Sequence, residues 1–93
     1  MQEPNRTHAA GLQHAYYLVR DIRNRDYREI MRALMTAWND AAQSREPAIF
    51  DADIAVVMRQ VEVFATSSAE SADQEWLTLR EMIADLVAKV GSA

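Results

Sequence analysis

Few residues in this 93-residue chain have the types and spacing to do chemistry. There is no cysteine, and the only histidines are His8 and His14. Six apart on a helix, they point to opposed sides, not to one side as the i, i+4 pair of a metal site would. They read as solvent-facing residues near a helix start, and no metal site is assigned. The carboxylates Asp21, Asp26 and Glu29 stand among Arg20, Arg23, Arg25, Arg28 and Arg32. Asp21 with Arg25, and Glu29 with Arg32 or Arg25, are ordinary ion pairs three and four apart on a helix. A carboxylate that moves protons needs a concave, water-poor setting, which a polar helix face does not supply. With no phosphate-binding loop and only two glycines, the chain is not expected to be an enzyme, and no catalytic or cofactor-binding residue is assigned.

The run Arg20–Arg32 carries the rival reading, a nucleic-acid-associated regulator. Phosphate binding rests on unopposed positive charge. Three acids interrupt this run, and the whole chain is acidic, with formal net charge −4. The two halves differ: residues 1–45 hold seven arginines against five acids, residues 46–93 three basic residues against nine acids. Arginines so placed suit an acidic protein surface, the chain's own second half included.

The elements that must position these residues are helical. Ala, Leu, Arg, Met, Gln and Glu are abundant, while two glycines and two prolines leave little material for tight turns. Residues 1–7 are polar and expected to be flexible. From 8 to 43 no proline intervenes, and Leu12, Ala15, Tyr16, Val19, Ile22, then Tyr27, Ile30, Leu34, Trp38 and Ala41 recur three and four apart. The stripe shifts where Arg23, Asn24, Arg25 and Asp26 arrive together. With no Gly or Pro at that point, one continuous helix over 8–43 is expected. A kink near Asn24, closing a monomeric four-helix bundle, is the alternative.

Pro47 ends this stretch and suits the first turn of a second helix, about 50–66. Its stripe is Ile54, Val57, Met58, Val61, Phe64 and Ala65. Val56 and Val63 widen that stripe, so that cover on two sides is expected, with Arg59, Gln60 and Glu62 on the wet side. Ser71 and Gln74 fit a capping box before a third helix, about 72–90, with Trp76, Leu79, Ile83, Leu86, Val87 and Val90 inward and Gly91 as its stop. Trp38 and Trp76 read as core, and Met31, Met35, Met58 and Met82 as core filler. Of the adjacent Tyr16 and Tyr17, about 100° apart on a helix, one is expected to meet another chain.

The expected fold is therefore all-α, a single domain with one long N-terminal helix on a C-terminal antiparallel hairpin. A 36-residue helix spans about 54 Å, and each hairpin arm about 25–29 Å. The overhang would leave Leu12, Tyr16, Tyr17, Val19, Ile22 and the flanking Arg20 and Arg23 as a protein interface, and a homodimer would cover it. No uncharged run reaches the roughly 20 residues of a membrane span, and no secretory leader is evident. The expectation is a cytoplasmic, non-enzymatic protein-binding module without cofactor. In size and helicity it resembles small inhibitors and anti-activators; its partners would be itself and another protein.

Overall fold

A computed structural model describes residues 5–43 and 47–92, with side-chain surroundings for 11–39 and 52–90. It contains four helices: α1 (Asn5–Val19), α2 (Tyr27–Gln43), α3 (Pro47–Ala65) and α4 (Ala72–Ser92). Each packs on the next and α4 closes on α1, while the diagonal pairs stay apart. The all-α expectation holds, and the second and third predicted helices are α3 and α4. The expectation for residues 1–4 falls outside the described residues, as does the side chain of His8.

The single helix over 8–43 is not found; α1 and α2 are separated by the turn at residues 20–26. Asp21 makes the break. Its Oδ1 accepts the backbone N–H of Arg23 and of Asn24, both at 3.2 Å. An aspartate bonding to the backbone two and three residues on offers the chain an alternative to the helix. Asp26 then restarts it. Its Oδ1 accepts the N–H of Glu29 at 3.2 Å, the geometry of an N-cap, and its carbonyl accepts the N–H of Ile30. The overhang disappears with the long helix: α1 folds back on α2, so the four-helix alternative describes the architecture.

Gly11 sets how closely the two helices approach. A Cβ there would lie 3.0 Å from the Ala37 Cβ and 3.1 Å from both the Ala33 carbonyl oxygen and the Ala37 nitrogen. Backbone cannot step aside as a flexible side chain can, so the absent side chain permits this contact. The core it closes contains Leu12, Ala15 and Val19 of α1, Ile30, Ala33, Leu34 and Ala37 of α2, Ile54, Val57 and Val61 of α3, and Trp76, Leu79, Ile83, Leu86 and Val90 of α4.

Smaller corrections follow from the same packing. α1 begins at Asn5, and α4 continues through Gly91 to Ser92. The Ser71 carbonyl accepts the Glu75 N–H to start α4, but its hydroxyl turns back to Ser68 and forms no capping box. Gln60 is half-buried, not wet, and its Nε2 donates to the Glu75 carbonyl at 3.1 Å and to Glu75 Oε1 at 2.8 Å. Trp38 is 39% exposed and Met35 50% exposed, so neither is core; Met31, Met58 and Met82 pack half-buried against it.

Candidate protein-binding surface

The residues singled out in the sequence as an interface separate into two groups once α1 folds back. Leu12 and Val19 are buried in the protein's own core, at 1% and 0% exposure, and Tyr16 packs half-buried against it. Tyr17 is 72% exposed and Ile22 50% exposed. Arg20 and Arg23 are exposed beside them. The adjacent tyrosines thus diverge as helical geometry requires, one inward and one outward.

The outward group forms a corner where α1 ends. Tyr17, Leu18, Arg20, Asp21 and Asn24 line an open cleft of about 390 Å³. The Arg20 guanidinium lies 5.5 Å from the centre of the Tyr16 ring, a cation–π contact that holds the charge at the cleft rim. The turn is fixed from the far side by Arg25. Its Nε donates to the Ile22 carbonyl at 3.2 Å, its Nη1 pairs with Asp73 at 2.7 Å, and its guanidinium sits 5.8 Å from the Trp76 ring centre.

These contacts decide the local electrostatics. Asp21 and Asp26 turn toward backbone N–H groups while keeping their charge, and Asp73 pairs with Arg25. The expected pair of Glu29 with Arg32 forms at 2.9 Å; Asp21 with Arg25 does not. Among the described residues no carboxylate pairs with Arg20, Arg23 or Arg28. The cleft thus carries one cation, Arg20, and one anion, Asp21, beside Tyr17 and the half-buried Leu18, and the exposed Ile22 and Arg23 follow in the turn.

His14 is exposed on α1, and among the described residues no three of His, Cys, Asp and Glu gather closely enough to hold a metal ion. Within the same residues no helix is long and apolar enough to cross a membrane.

Two further apolar features escaped the sequence reading of sites. Between α2 and α3, Met31, Trp38, Ala55, Met58, Arg59 and Glu62 line a cleft of about 320 Å³. Between α3 and α4, a cleft of about 270 Å³ is lined by Val56, Val57, Met82 and Leu86, with Asp53, Asp85 and Lys89 at its edge. The signal for both was present in the widened apolar stripe of α3. Compared with known proteins, the chain matches no family model, no curated protein and no solved structure.

Proposed function

We propose that this chain is a non-enzymatic protein-binding module, a small cytoplasmic regulator of the inhibitor or anti-activator type. It occupies a partner's surface with the corner at the end of α1. One observation carries the reading: Tyr17 and Ile22 stand 72% and 50% exposed, close in sequence to Arg20 and Arg23, which pair with no carboxylate among the described residues. Large exposed apolar side chains grouped within a polar rim are the composition of an interface centre, and tyrosine and arginine are its usual anchors. Leu12 and Val19 contribute by holding α1 in the core, and Arg25 by pinning the turn. The complementary partner offers an apolar recess edged with carboxylates.

Cross-linking capture with the wild type and with Tyr17→Asp/Ile22→Asp tests this. The variant is expected to keep its helical circular-dichroism spectrum and thermal midpoint while losing the captured partner. Identical capture by both proteins refutes the corner. Arg20, Arg23 and Arg28, cationic and unpaired among the described residues, favour nucleic acid as the second reading. Absence of a mobility shift at low salt and micromolar protein, where phosphate contacts are strongest, removes it.

A further inference from the structure

Helix α3 is the least polar of the four on its outer side. Its exposed residues between 52 and 63 are Ala52, Ala55, Val56, Arg59, Glu62 and Val63. Val56 is 57% exposed and Val63 39% exposed. They flank Arg59 at separations of three and four, so all three share one face. The apolar clefts toward α2 and α4 lie on either side of this face, bringing Met58 and Trp38 to one flank and Met82 to the other. A helix that is apolar on its core side and again on its outer side is covered twice. Among the described residues only the first cover exists.

The charges identify the second. Among the described residues Arg59 and Glu62 are the only charged ones on this face, one of each sign, and no ion pair there engages either. Consider two such faces run antiparallel about a two-fold axis that passes between residues 59 and 60. Val56 of each then stands level with Val63 of the other, and Glu62 of each lies within about two residues, roughly 3 Å along the axis, of the other's Arg59. Both long side chains reach across that gap. An isologous contact requires every residue to meet its counterpart reciprocally, and this face meets that condition in both charge and apolar position. Ala52 and Ala55 let the backbones draw near.

We propose that the outer face of α3 is a self-association surface whose occupant is the same face of a second copy, joined through reciprocal Arg59–Glu62 ion pairs around the Val56–Val63 contacts. The surface is separate from the α1 corner, and neither reading depends on the other. Self-association, expected from the sequence on the first helix, is thereby assigned to the third.

Sedimentation or light scattering of the full chain with Arg59→Glu, with Glu62→Arg, and with their equimolar mixture provides the test. Each single variant places like charges against each other twice and is expected to weaken self-association about tenfold. In the mixture, a chain bearing two acids meets a chain bearing two arginines, and association is expected to return as a heterodimer. The double variant Arg59→Glu/Glu62→Arg is expected to associate as the wild type does. Helical spectra, and thermal midpoints at concentrations too low for association, are expected to be unchanged, because both side chains are exposed. A wild type that stays monomeric to millimolar concentration overturns the proposal, as does a mixture that fails to recover association. Tyr17→Asp/Ile22→Asp is expected to leave association intact; if it abolishes association instead, the contact lies at the α1 corner and the α3 assignment is wrong.

Discussion

Trp76 is the largest fully buried side chain, and its surroundings show how one residue binds two turns together. Phe64 approaches it edge-on with ring centres 5.0 Å apart, and Tyr27 approaches Phe64 likewise at 6.0 Å. Arg25 covers it from the 20–26 turn. Its indole N–H, however, is buried with no hydrogen-bond partner among the described residues. The ring therefore contributes through packing while its polar atom carries a desolvation penalty. Trp76→Ala is expected to cost about 3–5 kcal/mol by creating a cavity. Trp76→Phe, which keeps much of the ring and removes the unpaired donor, is expected to cost less than half as much. Chemical denaturation of the two variants measures both. A loss below about 1 kcal/mol for Trp76→Ala contradicts its role in the core.

At the scale of elements, the decisive feature is the break between α1 and α2. The helical character of 8–43 was legible in its periodicity, and so was the shift in phase near Asn24. The break itself carries no Gly or Pro signal, because it comes from Asp21 and Asp26 bonding to the backbone. Aspartate is read from sequence as a charge before it is read as a cap. The interface shifts with the break: with α1 folded back, Leu12 and Val19 go inside and only Tyr17 and Ile22 of that apolar set stay well exposed. Gly11 was legible as a residue but not as a contact, since its meaning depends on Ala33 and Ala37. Removing the two caps should expose the competing architecture. Asp21→Ala/Asp26→Ala loses about 1 kcal/mol per cap and raises helix propensity across the turn. The variant is expected to extend α1 into α2 and to exchange α1 between copies, a domain-swapped dimer visible by light scattering. A variant that keeps its parent's assembly state and helicity argues that packing alone enforces the turn.

For the whole molecule, charge and exposed apolar surface are distributed over different elements. Among the described residues, the arginines without a carboxylate partner gather at the turn between α1 and α2 and the start of α2, while the outer side of α3 carries valine and alanine with a single charge of each sign. The long-range ion pairs Arg25–Asp73 and Lys89–Asp53 join neighbouring elements around the ring and leave both surfaces outside it. This arrangement also makes the protein its own optical instrument. Its two indoles see different worlds, Trp76 sealed from solvent and Trp38 39% exposed at the edge of the α2–α3 cleft. Iodide is expected to quench only Trp38 emission in the native state and both emissions after denaturation, and Trp38→Phe should abolish native quenching. Unlabelled protein can thus report unfolding through one chromophore and occupancy beside α3 through the other.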